Sequence, residues 1–126
     1  MLVLEGRPAA VTVDLAELRL DTGQARLYKW GAAPSWLISA HGKEKLGTAG
    51  PPPGLSVEGC RESVQRVSLR RGETLLLVSD GIPEEALQQL KQEDPPGVLA
   101  RTLLRSEKTG RQDDATVVTI RLQPKL

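Results

Sequence analysis

An α+β fold built on mostly antiparallel β-sheets is what this sequence predicts, and three observations predict it. Short strand-like segments, punctuated by glycine, proline and aspartate, fill the chain as far as Gly81. Two stretches of helical spacing follow, opened by Pro83 and by Asp94-Pro95-Pro96. A last strand-like run, Ala115 to Leu122 (ATVVTIRL), closes the pattern. Two C-terminal helices grouped before the last strand, rather than interleaved with every strand, argue against a parallel α/β sheet.

At 126 residues the chain is one domain or part of one, long enough to bury a core without disulfides. Tyr28, Trp30 and Trp36 are its only aromatic residues, so the core must come from Leu, Val, Ile and Ala. Seventeen basic residues stand against sixteen acidic ones, which leaves no electrostatic footprint for nucleic acid or an anionic membrane. The single cysteine, Cys60, cannot form an internal disulfide and suits a reducing, cytoplasmic setting. Met1-Leu2-Val3-Leu4 is too short for a signal peptide and is followed by an acid, Glu5. No apolar run approaches membrane length, so a soluble chain is expected.

Taken in order, Ala9 to Leu20 alternates as a long strand with a bulge near Ala16. Asp21-Thr22-Gly23 is a turn, and Gln24 to Trp30 is the second arm, with Ala25, Leu27 and Tyr28 as its apolar set against Arg26 and Lys29. Gly31-Ala32-Ala33-Pro34 breaks the pattern. Ser35 to Ser39 forms a further strand, His41-Gly42 a turn and Lys43 to Leu46 its short partner, so a meander of hairpins is expected. Gly50-Pro51-Pro52-Pro53-Gly54 reads as a rigid surface loop. Val64 to Leu69 and Thr74 to Val78 read as a hairpin across the polar turn Arg70-Arg71-Gly72-Glu73. The first helix starts at Pro83, with Glu84 and Glu85 in its first turn, Lys91 in its last, and Ala86, Leu87 and Leu90 as its apolar face. The second buries Val98, Leu99, Thr102 and Leu103, and Gly110 lies beyond its end.

Glu73 to Gly81 (ETLLLVSDG) is the most informative stretch. Its unbroken apolar run, Leu75 to Val78, reads as a strand buried on both faces that stops at Ser79-Asp80-Gly81. Asp80 then has two readings: a cap for the following helix, or an oxygen ligand presented at a tight glycine turn. Asp113-Asp114 immediately precede the last strand; if the two strands are neighbours, these carboxylates and Asp80 can converge at one end of a sheet. Aspartates without His or Cys companions suit the hard cations Mg²⁺, Mn²⁺ or Ca²⁺ rather than zinc. Cys60 has no base beside it and reads as an inert thiol, and His41 reads as a surface residue. Glu84 and Glu85 are explained by the helix dipole and stay outside the candidate metal site.

Four segments, TVDLAELRLDTGQARLYKWGAAPSWLI, GTAGPPPGL, LRRGETLLLVSDG and DDATVV, stand in an order that resembles the C-terminal half of a metal-dependent serine/threonine phosphatase domain. The superfamily is that of protein phosphatase 2C, and within it the chain is most similar to bacterial stage II sporulation protein E, from about Ala9 to Leu122. The resemblance implies an α-β-β-α sandwich, with Asp80 and Asp113 among the ligands of a Mn²⁺ or Mg²⁺ pair and Gly81 and Asp114 supporting the site. It implies a metal-activated water that attacks a phosphoserine in line, without a covalent intermediate. It also implies a substrate, a phosphorylated anti-anti-sigma factor in sporulation signalling, and a parent protein with membrane segments upstream of a cytoplasmic catalytic domain. The chain departs from the family in lacking the first aspartate-bearing strand, the Asp-Gly-X-Gly turn and two long helices. Asp14 resembles a mid-domain strand residue and not that turn. The expectations are therefore weak cation binding with no ordered metal pair, little or no activity alone, and a homodimer or higher oligomer that covers an exposed sheet face. A non-catalytic phosphatase-like scaffold is the alternative, and Met1 fits a designed piece or an internal start.

Overall fold

The computed structural model describes residues 2–4, 7–9, 12–47, 63–105 and 115–123. The proline loop, Cys60, Gly110, Asp113 and Asp114 lie outside these residues. Along the chain the described elements are β1 (Leu2–Leu4), β2 (Arg7–Ala9), β3 (Val13–Leu18), β4 (Gln24–Trp30), β5 (Ser35–Ser39), β6 (Gly42–Leu46), β7 (Ser63–Ser68) and β8 (Thr74–Val78). A 3₁₀ helix (Glu84–Gln89), α1 (Pro96–Arg105) and β9 (Val117–Arg121) complete them. All strand pairs are antiparallel, as the α+β reading requires. Two compact units result, Met1–Pro34 with Gly47–Ser68 and Ser35–Leu46 with Leu69–Leu126.

In the first unit β1 pairs with β2, and a three-stranded sheet has the order β3-β4-β7. The long strand expected from Ala9 to Leu20 is instead split: Ala9 ends β2, and β3 runs only from Val13 to Leu18. Its C-terminal limit has a local cause. Arg19 N–H donates to Gln24 O (2.9 Å) and Gly23 N–H to Arg19 O (2.8 Å), so the turn closes at Arg19 and strands Leu20 at 79% exposure. Gly23 accepts the left-handed backbone of this turn, φ 76°. The expected bulge is absent, because Val13 to Leu18 pair without interruption with Trp30 to Ala25.

Strict alternation along β4 corrects its expected faces. Ala25, Leu27 and Lys29 are buried together, at 2%, 1% and 1% exposure, whereas Tyr28 falls on the opposite side with Arg26 and Trp30. A buried lysine needs compensation, and Lys29 has it: Nζ donates to Asp14 Oδ1 at 2.8 Å and to Ala33 O at 2.7 Å.

The second unit carries a four-stranded sheet of order β6-β5-β8-β9. β8 lies inside it; Leu75, Leu76 and Val78 are buried, as the apolar run predicted, while Leu77 is only half-buried and Thr74, outside the run, is buried with them. The expected β7–β8 hairpin does not form. β7 pairs with β4, and β8 pairs with β5 and β9, so the polar turn passes the chain from one sheet to another. That turn is well made locally, with Arg70 N–H on Glu73 Oε1 (2.8 Å) and Glu73 N–H on Arg70 O (3.1 Å), which is why it imitates a hairpin loop. The meander likewise holds only within the β3–β4 and β5–β6 pairs.

The helices cover one side of this unit. Leu99 and Leu103 of α1 are fully buried, while Val98, expected inward, is 38% exposed. α1 packs on β9, where Thr119 Oγ1 donates to Pro96 O (3.1 Å). Arg121 extends the tie: Nε donates to Thr74 Oγ1 (2.8 Å), and one terminal nitrogen donates to Gln92 O (3.1 Å) and Asp94 O (2.7 Å). The segment after Pro83 is a six-residue 3₁₀ helix that buries Ala86 and Leu87, with Lys91 beyond its end.

Candidate metal site

The predicted neighbours are neighbours. β8 and β9 pair from Thr74↔Arg121 to Val78↔Val117, so the C-terminal end of β8 and the N-terminal end of β9 share one end of the sheet. Ser79 continues the contact past the ladder: its N–H donates to Thr116 O (3.0 Å), and its Oγ accepts from Thr116 N–H (2.9 Å). Ile82 N–H then donates to Ser79 O (3.2 Å), closing a β-turn with Asp80 and Gly81 at its two central positions.

This geometry removes one of the two readings of Asp80, the helix cap. The 3₁₀ helix has Pro83 as its N-cap residue and no side-chain cap, so Asp80 does not cap it. The carboxylate is exposed and makes no hydrogen bond or ion pair with another described residue. A hard-oxygen donor held on a turn that is pinned to two strands is suited to a divalent cation. Gly81 is buried in the turn, but the left-handed glycines are Gly23, Gly31, Gly42, Gly47 and Gly72, so a positive φ is not what calls for glycine here.

Other predicted residues sort clearly. Asp113 and Asp114, the second half of the candidate pair, lie outside the described residues. Among the described residues no group of three or more His, Cys, Asp or Glu side chains could hold a metal ion. Of the candidate pair, Asp80 alone lies among the described residues. Glu84 lies in the first turn of the 3₁₀ helix, as expected, and also accepts from Lys45 Nζ at 2.7 Å. Lys45 also lies 5.9 Å from the centre of the Trp36 ring. His41 is exposed on the β5–β6 turn, its N–H donating to Ser39 Oγ (3.2 Å).

Sequence reasoning missed the polar centre of the first unit. Around the Lys29–Asp14 pair, Gly47 adopts φ +76°, and a Cβ there would lie 2.8 Å from Lys29 Cδ. Gly47 N–H donates to the Gln65 side-chain oxygen. β3, the Gly31–Pro34 segment and Gly47 are thus fitted around one ammonium group. A signal for it was present, since Lys29 stands two residues after Leu27 on a strand with period two.

Comparison with known proteins agrees with this architecture. Residues 3–123 match the family model described as stage II sporulation protein E (SpoIIE). The phosphatase domain of the cell fate determinant SpoIIE from Bacillus subtilis is similar at 26% identity and a TM-score of 0.68, over 91% of this chain and 57% of that one. The RsbU and RsbW domains of a Mycobacterium tuberculosis protein align at 22% identity and a TM-score of 0.71, over 96% and 39% of the two chains. RsbX, solved in complex with magnesium, aligns at 14% identity and a TM-score of 0.68, over 87% and 55%. Among curated proteins no significant match was found. The family match and the fold together define a chain of the protein phosphatase 2C class. Within that class it belongs to the stage II sporulation protein E family, and it spans under three fifths of the Bacillus domain's length.

Proposed function

We propose that the chain is the C-terminal part of a Mn²⁺- or Mg²⁺-dependent protein serine/threonine phosphatase that hydrolyses phosphoserine on a regulatory protein. The observation that carries this reading is Asp80, an exposed carboxylate without a partner among the described residues, at the end of a buried strand in a chain that matches the family over residues 3–123. In this reading Asp80 and Asp113 are metal ligands, with Gly81 and Asp114 shaping their turns. A bound metal pair supplies an activated water and takes up charge on the phosphoryl oxygens. The chain's own part is to hold the Asp80 carboxylate still, through the Ser79–Thr116 contacts. The substrate class is a phosphorylated anti-anti-sigma factor, met on the cytoplasmic side, with membrane attachment only through upstream segments of a parent. No helix among the described residues is long and apolar enough to cross a membrane.

Because the chain spans 57% of the Bacillus domain, it is proposed to be inactive by itself. The second reading is a phosphatase-like binding module without catalysis. Manganese-dependent phosphate release from a phosphoserine protein separates the two, measured on this chain and on a version extended upstream through an Asp-Gly-X-Gly turn. The extended form should turn over and lose at least about 100-fold with Asp80→Asn, while this chain should not exceed its own Asp80→Asn variant. Turnover by the chain alone that Asp80→Asn abolishes would sink the incompleteness reading, and an inert extended form would favour the binding module.

A further inference from the structure

We propose that Asp80 is a site of spontaneous covalent modification: it isomerises through a cyclic imide formed with Gly81, which converts a candidate metal ligand into isoaspartate. The sequence confines this reaction to one place. Asp80-Gly81 is the only Asp-Gly pair in the chain, and asparagine, the other residue that forms such imides readily, does not occur. Among the other described aspartates, Asp14 and Asp21 pair with Lys29 and Arg19 and precede residues that carry side chains. Asp94 precedes Pro95, which has no N–H to give up.

The turn at the end of β8 leaves both reacting groups untied. The Asp80 carboxyl has no hydrogen bond or ion pair with another described residue, and neither has the Gly81 N–H, since Ile82 N–H on Ser79 O closes the turn. Gly81 has no Cβ to crowd the ring that forms. The nitrogen attacks its own covalent neighbour, so the burial of Gly81 does not obstruct the step. The Gly81 nitrogen bonds to Asp80 Cγ, one carboxyl oxygen leaves as water with the amide proton and one further proton, and a five-membered imide results. Water then opens the ring at either carbonyl. Opening at Cγ restores aspartate; opening at the main-chain carbonyl leaves the chain routed through Cβ. The second product has one extra carbon in its backbone and a carboxylate shortened by that carbon, so the oxygen ligand is displaced from where the strand end presents it. Ring closure swings the Asp80 backbone, and the two Ser79–Thr116 hydrogen bonds, 3.0 and 2.9 Å, oppose that swing and slow the reaction. A cation held by Asp80 opposes it too, the one part of the proposal that rests on the phosphatase reading.

Peptide mapping of the chain aged in neutral, metal-free buffer tests this, with circular dichroism to confirm that each variant is folded. Trypsin releases residues 72–91, in which Asp80 is the only aspartate, and chromatography with fragmentation separates the isoaspartyl form. Wild type should accumulate that form, and Asp80→Glu, whose larger ring closes far less readily, should accumulate none. Ser79→Ala removes one of the two restraining bonds and should raise the rate about fivefold. An aged chain with no isoaspartate in this peptide overturns the proposal, and so does an altered species that persists in Asp80→Glu. A rate unchanged in Ser79→Ala overturns the restraint assigned to the Thr116 contacts. In the form extended upstream, Mn²⁺ should suppress accumulation. Isoaspartate forming there at the same rate with and without Mn²⁺ would reject Asp80 as a ligand while leaving its modification standing, so the two readings fail separately.

Discussion

β8 and β4 are both inner strands, yet they are buried by different chemistry. β8 presents Leu75 and Leu76 at no measurable exposure, in a sheet that also carries the apolar face of α1. β4 buries Ala25 and Leu27 but places Lys29 in line with them, and its other face carries Arg26, Tyr28 and Trp30. The first arrangement is stabilised mainly by apolar area, with the Thr74–Arg121 hydrogen bond at its end. The second depends on one ion pair having its geometry right, and leaves an apolar surface open. An interior can therefore be equally inaccessible in two places and still respond very differently to substitution.

Three single substitutions and one double, followed by urea denaturation with Trp30 and Trp36 as reporters of the two units, sharpen or break that contrast. Leu99→Ala should be the largest, about 2–5 kcal/mol, because it opens a cavity at a fully buried position of α1. Lys29→Ala should follow at about 2–3 kcal/mol, since it leaves Asp14 without its cation; the figure is held down because the Asp14 side chain keeps 23% exposure. Replacing both partners, as Lys29→Met with Asp14→Leu, should recover most of the loss, and failure to do so would mean that the contact to Ala33 matters more than the charge. Lys45→Ala should change stability by no more than about 1 kcal/mol, because Lys45 and Glu84 are both more than half exposed. A cost above that of Lys29→Ala would reverse the ranking of buried over exposed pairs.

What could be read in advance was whatever a single segment determines. The apolar run of β8, its stop at Ser79-Asp80-Gly81, the β3–β4 and β5–β6 hairpins and the helix over Pro96–Arg105 all depend on neighbours in sequence. Sheet membership does not. The polar turn at Arg70–Glu73 has the same local hydrogen bonds whether the next strand returns beside β7 or enters another sheet, so the false hairpin was built into local reasoning. Lys29 was assigned outward because its charge was weighed above its position, and only the facing Asp14 reveals why the position wins. Of the candidate site, Asp80 was legible as a residue, and its cap reading falls because the next helix has Pro83 as its N-cap residue, a boundary that helical spacing places only to within two or three residues.

The tie made by Arg121 has a consequence for how the polypeptide matures on the ribosome. β8 gains its second neighbour only when β9 arrives, and the same strand fastens the segment before α1 through Gln92 and Asp94. A nascent chain halted before Val117 thus holds a finished β5–β8 pair with a bare, apolar edge. Such an edge is an invitation to pair with other chains. Commitment of the second unit must wait until Arg121 has left the exit tunnel, 47 residues after its partner Thr74.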